Sequence, residues 1–300
     1  MNKRRLYPLS LIFLAALACS VEMYAQGNAP LAAGTVRYWI TATKNGHPVS
    51  DLTREDLQLW IGKQKQSISV LAFNPPEALR VGLLVDMSGS QKAQWPSPAI
   101  SLAVDFFRRV ICPGDQAFII HFNDVYYTDA QLTDDLRVLD QGLERLASVH
   151  PYGGTALYDA IVAACYPREA GGPTHRALVL ITDGMDDASR YPLDRAMAVV
   201  GRTGTQLYVI GTGPESARNV PIMLHSIRVL RSMADATGGA FIPTSNKREM
   251  EPAFNSIAEL LRAQYALEYQ PAGVSPGKEG NRIKIKCSRP GVEVIAPADY

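Results

Sequence analysis

Val81-Gly82-Leu83-Leu84-Val85 runs directly into Asp86-Met87-Ser88-Gly89-Ser90. The first half is an unbroken apolar run, the pattern of a strand buried on both faces of a parallel sheet. The second half places one carboxylate and two hydroxyls where such a strand must end. In open α/β sheets, ligands bind outside the carboxyl ends of the strands, where the strand order reverses. This stretch therefore predicts both a fold and the position of a site within it.

Downstream, helical spacing alternates with short apolar runs. Ala99 to Ile111 reads as a helix stopped by Pro113-Gly114, and strand Ala117 to Phe122 follows. Helices Leu132 to Val149 and Ala156 to Tyr166, strand Ala177 to Thr182 and helix Leu193 to Arg202 come next. Strand Gln206 to Ile210, helix Ile222 to Ala236, strand Ala240 to Ile242 and helix Glu249 to Gln264 complete the series. Strands separated by helices imply β-α-β units with right-handed crossovers, hence an α/β fold with a doubly wound, mostly parallel, Rossmann-like sheet.

The flanks are different in character. Val36, Tyr38 and Ile40 alternate with more polar residues, and Asn45-Gly46 signals a tight turn. Leu57 to Ile61 and Ile68 to Phe73 read as strands joined by a turn through Gly62, and Asn74-Pro75-Pro76 marks a boundary. After the last helix, Tyr265 to Tyr269, Ile283 to Cys287 and Val292 to Ile295 are strand-like, with Gly273 to Gly280 as a loop. The expected organisation is an α/β region over 78–264, with β-rich segments over 34–75 and 265–300 packing together as a small β domain.

Residues 1–25 read as a secretory signal peptide. Lys3, Arg4 and Arg5 precede an apolar run from Leu9 to Ala18, too short for an ordinary transmembrane helix, and Ala25 suits signal peptidase. A lipoprotein signal competes, because Cys19 follows Ala18, although Ala16 stands where such signals expect Leu. Either way the protein is expected to be exported to the periplasm, cell envelope or medium, touching membrane only through an N-terminal lipid anchor. Cys112, Cys165 and Cys287 would remain, an odd number with no zinc-site spacing. A Cys112–Cys165 disulfide and three buried thiols both fit. The chain of 300 residues carries a formal charge of +1, which leaves no electrostatic footprint for nucleic acid.

Three polar clusters fall at strand or loop ends: Asp86-Met-Ser88-Gly-Ser90, Gly153-Gly154-Thr155 and Thr182-Asp183-Gly184. All their donors are hydroxyls and carboxylates. Such hard oxygens select Mg²⁺, Mn²⁺ or Ca²⁺ over zinc. Residues 86, 88 and 90 alternate, so their side chains can converge, and the glycine pair lets Thr155 approach from a second loop. Two carboxylates and three neutral hydroxyls leave the ion coordinatively unfilled, with a position that a carboxylate from another molecule can take. Singly, each cluster has a plainer reading, Ser90 as a helix cap and Thr-Asp-Gly as a turn; the conjunction is what points to metal.

Val81 to Ser90, Gly153 to Asp159 and Leu178 to Gly184 resemble the three parts of the metal-ion-dependent adhesion site of von Willebrand factor A domains. The resemblance implies hydroxyl ligands from Ser88, Ser90 and Thr155, with Asp86 and Asp183 bound directly or through water. It also implies a module that binds a partner's Asp or Glu carboxylate through the ion and catalyses nothing. Affinity switches in such domains act through the C-terminal helix, for which Glu249 to Gln264 is the candidate. Asn45-Gly-His-Pro-Val-Ser-Asp-Leu-Thr-Arg-Glu-Asp-Leu57 and Gln264-Tyr-Ala-Leu-Glu-Tyr-Gln-Pro271 extend the likeness to the VWFA-related proteins typical of Acidobacteria, over residues 35–300. Asp-Met-Ser, where that family more often has Asp-Thr-Ser, and Cys112 before Gly114-Asp115 are departures that remove no ligand.

Other chemistries fit less well. A haloacid-dehalogenase-type phosphatase needs a second carboxylate two residues after the first, where this chain has Ser88; Lys92 lies in the wrong segment for its lysine. A serine nucleophile needs a base, and His47, His121, His150, His175 and His225 form no recognisable triad, His121 reading as a half-buried strand residue. Gly211-Thr-Gly213 lacks the rest of a nucleotide loop. Asp186 and Asp187 either enlarge the acidic rim or simply face solvent, the second being the favoured reading. A structural envelope protein whose metal only braces loops is the remaining alternative.

Overall fold

The computed structural model describes residues 34–93, 97–166, 175–213, 220–272 and 282–298. The leader at 1–25, with Cys19 and Ala25, the linker up to residue 33 and the loop from Gly273 to Gly280 lie outside the described residues.

The central sheet has six strands: β6 (Leu79–Asp86), β7 (Gln116–Phe122), β8 (Tyr126–Thr133), β9 (His175–Thr182), β10 (Thr205–Thr212) and β11 (Ala240–Thr244), in the order β11-β10-β9-β6-β7-β8. All neighbours are parallel except β7 and β8. Every residue of β6 is buried, as its apolar run requires of a central strand with cover on both faces. Val81, Leu83 and Val85 face one core with helices α1 (Ser97–Val110), α2 (Leu136–Ala147) and α6 (Met250–Arg262). Leu84 faces the other, with α3 (Leu157–Cys165), α4 (Leu193–Thr203) and α5 (Pro221–Ala236). Gly82 makes room on that second face: a Cβ there would sit 2.2 Å from the Phe118 ring.

The chain leaves β6 towards β7 on one side and returns to β9 on the other, so the strand order reverses between β6 and β9. The crevice at their carboxyl ends is the topological switch point. Asp86 ends β6 and Asp183 directly follows β9.

One expected helix is corrected. Leu132 and Thr133 belong to the edge strand β8, where Thr133 pairs with Ala117, and α2 starts only at Leu136 and ends at Ala147. Asp135 sets that start by accepting the Arg137 N–H at 2.9 Å. The edge strand was missed because only Ala130 of its residues is buried, so it carries almost no apolar alternation.

Strands from both flanks pair with one another. β1 (Val36–Lys44) lies between β12 (Gln264–Tyr269) and β14 (Val292–Ile295), with β5 (Ile68–Phe73) beyond β12. β2 (His47–Pro48) folds back on β1 through Asn45 and Gly46, both at positive φ. A smaller sheet joins β13 (Ile283–Cys287), β3 (Leu57–Ile61) and β4 (Gln64–Gln66). Gly62 therefore leads into β4, and not directly into β5 as expected. Ile40, Leu59, Tyr265, Leu267 and Tyr269 form the apolar centre of this region. It meets the α/β region where Trp39 stacks on His175, ring centroids 3.9 Å apart. The Gln264 amide also donates to the Tyr208 hydroxyl at 2.6 Å.

All three described cysteines are free: Cys165 is buried, Cys112 exposed and Cys287 half-buried, so neither the disulfide nor three buried thiols describes them. Among the described residues, no helix is long and apolar enough to cross a membrane.

Candidate metal centre

Asp86 is 4% exposed and Asp183 2%. Asp86 accepts the Ser88 N–H on Oδ1 at 2.9 Å and the Thr182 hydroxyl on Oδ2 at 2.6 Å. Thr182 in turn accepts the Gly184 N–H at 3.0 Å, which leaves its proton free to point at Asp86. Asp183 accepts the Met185 N–H on Oδ1 at 3.1 Å and the Gln91 amide on Oδ2 at 2.9 Å. Burial pushes the Asp86 carboxyl up to about 6, against the hydrogen bonds from Ser88 and Thr182 that hold it down. Among the described residues, neither carboxylate has a basic partner.

Ser88 is buried and Ser90 exposed, with their hydroxyls 3.1 Å apart. Ser90 does not cap α1. It sits in a 3-10 turn over Gly89–Ala93, and α1 starts at Ser97.

The second loop is held from several sides. Gly89 N–H donates to the Gly153 carbonyl at 3.0 Å, Tyr152 N–H to Met87 at 3.0 Å and Ala156 N–H to Asn123 at 2.7 Å. Gly153 has φ +75°, and a Cβ there would fall 2.1 Å from Asp124 Oδ2, so only glycine fits. Asp124 Oδ1 accepts the Gly154 N–H and Asp187 Oδ1 the Thr155 N–H, each at 2.7 Å. Thr155 is 3% exposed, and its hydroxyl makes no hydrogen bond among the described residues. Its loop is tied to the Asp86–Ser90 loop through the Gly89–Gly153 bond; the Thr155 side chain itself is bonded to none of the other four predicted residues.

Asp187 is exposed, as expected, and Asp186 is half-buried, but both also hold partners within the fold. Asp186 accepts the Ser189 hydroxyl at 2.5 Å, and Asp187, though exposed, clamps the Thr155 backbone. Gln91 was missed altogether. It is buried, donates to Asp183 and accepts the Thr212 hydroxyl at 3.2 Å. Asp124 and the role of Thr182 were missed too. Their partners lie far away in sequence, so no local pattern announces them.

The donor set is two carboxylates and three hydroxyls. No group of three or more His, Cys, Asp or Glu side chains among the described residues is placed to hold a metal. An ion here must draw on hydroxyl oxygen, which suits hard divalent cations and leaves room for water. Two buried carboxylates with no neighbouring cation are an uncompensated charge, and a divalent ion would neutralise it. The residues present therefore fit such an ion. The nearby His–Asp pair, His121 with Asp129 at 2.8 Å, has no serine bonded to it among the described residues.

No known family profile matches the sequence, and no curated protein matches it. Solved structures do. A von Willebrand factor type A protein from Catenulispora acidiphila is 13% identical, with 90% of this chain and 75% of that one covered and a TM-score of 0.50. The proximal thread matrix protein 1 from the mussel byssus, described with a zinc-occupied MIDAS motif, is 18% identical at a TM-score of 0.51. That match covers 67% of this chain and 49% of the mussel protein, so the chain spans about half of its length. Likeness at this identity is likeness of fold: the chain has the von Willebrand factor A fold.

Proposed function

We propose that this protein is an exported, non-enzymatic interaction module. Asp86, Ser88, Ser90, Thr155 and Asp183 hold a divalent cation whose open position takes an Asp or Glu carboxylate of a partner protein. The carrying observation is the pair of buried carboxylates at the switch point, flanked by hydroxyls and without a basic partner among the described residues. Mg²⁺ is the ion favoured by the oxygen set, with Mn²⁺ and Ca²⁺ as alternatives. The mussel neighbour's zinc makes Zn²⁺ worth including in any titration. Export is supported by Lys3, Arg4 and Arg5 ahead of the Leu9 to Ala18 run.

Calorimetric titration of Mg²⁺, Mn²⁺ and Zn²⁺ into wild type and Asp86→Ala tests the metal. Saturable binding lost in the variant supports the reading, and equal affinity in both sinks it. An EDTA-sensitive pull-down from envelope extract tests the partner. Metal binding without any EDTA-sensitive partner would favour an ion that only braces loops.

A further inference from the structure

Tyr152 adjoins the Gly153–Thr155 loop in sequence, and Tyr127 meets Tyr152 side chain to side chain. Tyr126, Tyr127 and Tyr152 are 47%, 42% and 50% exposed. Tyr127 and Tyr152, whose hydroxyls meet, are two large, half-exposed rings next to the loop, a costly way to face water, and tyrosine is a side chain on which binding energy concentrates. Tyr127 is also braced. Its ring stacks on His121 across the β7–β8 ladder, centroids 4.8 Å apart and 15° from parallel, and His121 Nδ1 is held by Asp129 at 2.8 Å. One ring face is thus fixed to the sheet, and the ring cannot fold away.

Asp124 connects this platform to the loop. Its Oδ1 accepts the Gly154 N–H at 2.7 Å, one residue from Thr155, and its charge acts on the Tyr127 hydroxyl, against which Tyr152 also lies. Aromatic faces with a carboxylate at their edge are complementary to a cation, as an apolar side chain is not.

We propose that Tyr127, Tyr152 and Asp124 form a second subsite, which takes an arginine or lysine side chain of the same partner segment whose carboxylate reaches the ion. This rests on the metal reading above. Asp124 is bonded to the residue next to Thr155, so the two positions are neighbours, and in an extended segment side chains two residues apart share a face roughly 7 Å apart, the spacing the inference requires. The partner motif is then an acidic residue with a basic residue close in sequence.

The test uses the full chain with Mn²⁺ and capped hexapeptides carrying one Asp and, two residues away in either order, Arg, Leu or Ser. Ligand-observed NMR or calorimetry gives each affinity, and the readout is the ratio between peptides on the same protein variant. The Arg peptide should bind about tenfold tighter than the Ser peptide. That ratio should fall towards one in Tyr127→Leu, in Tyr152→Leu and in Asp124→Asn, which keeps an oxygen for the Gly154 N–H. EDTA-sensitive binding with equal affinities, or a ratio unchanged in the variants, overturns the subsite and leaves the metal reading standing. A Leu peptide tighter than the Arg peptide overturns the cationic occupant. No EDTA-sensitive binding of any peptide overturns this inference and counts against the carboxylate-binding role, while the calorimetric titration of wild type and Asp86→Ala decides the metal separately.

Discussion

The Gln91 side chain bridges the first and third metal motifs, donating its amide to Asp183 Oδ2 at 2.9 Å while its oxygen accepts from Thr212 at 3.2 Å. Together with the Met185 N–H on Oδ1, it fixes the orientation of that carboxylate. Gln91→Ala should weaken metal affinity by about tenfold, the lower end of what losing a ligand's orienting partner costs. Calorimetry with Mn²⁺ measures it, and an unchanged dissociation constant would show that Asp183 needs no such support.

Metal should also stabilise the fold, because the unfolded chain has no assembled site. At a concentration a hundred times the dissociation constant, the gain is about 2.7 kcal/mol, or roughly 5 °C in Tm. Thermal melts of wild type with and without Mg²⁺ should differ by that amount, and melts of Asp86→Ala should coincide.

Acid should destabilise the protein through His175. Burial, followed by the charge of Arg262, pushes its imidazole down to about 3, whereas the unfolded chain holds it near 6.5. The unfolded state therefore binds the extra proton first. Stability from this residue is fully present above about pH 6.5 and is lost progressively as pH falls from there towards 3. Between pH 6.5 and 4.5 the loss is on the order of 2 to 3 kcal/mol. His175→Phe keeps a ring against Trp39 and should remove this part of the pH dependence. Urea midpoints of the two proteins at both pH values give the difference, and parallel curves would contradict it.

Gly82 is a packing requirement of the central strand. Gly82→Ala places a methyl 2.2 Å from the Phe118 ring and 2.7 Å from Leu178, which should cost about 1–3 kcal/mol. Adding Phe118→Leu should recover part of that cost. Chemical denaturation reads both, and a stable single variant would mean that Phe118 has another rotamer to occupy.

The elements legible in the sequence were those whose burial writes a period into it. Leu79–Asp86 and His175–Thr182 are buried along their whole length and read as apolar runs. β13 and β14 begin and end where the alternation does. β8 escaped because an edge strand with one buried residue has no period to read. The five candidate ligands were visible because strand ends and glycines mark them locally. Gln91, Asp124 and Asp187 were not, since each is defined by a partner that only the fold brings near: Asp183, Gly154 and Thr155.

Ala263 alone separates α6 from β12, and β12 is hydrogen-bonded along both flanks, to β1 and to β5. Sliding the helix by one turn would move its end about 5.4 Å, more than the roughly 3.4 Å between strand residues. Such travel would drag Tyr265, Leu267 and Tyr269 out of register, and a one-residue slip would turn them away from the core they fill. β12 is thus a mechanical stop on the last helix, and a piston stroke in this molecule would have to carry a sheet with it.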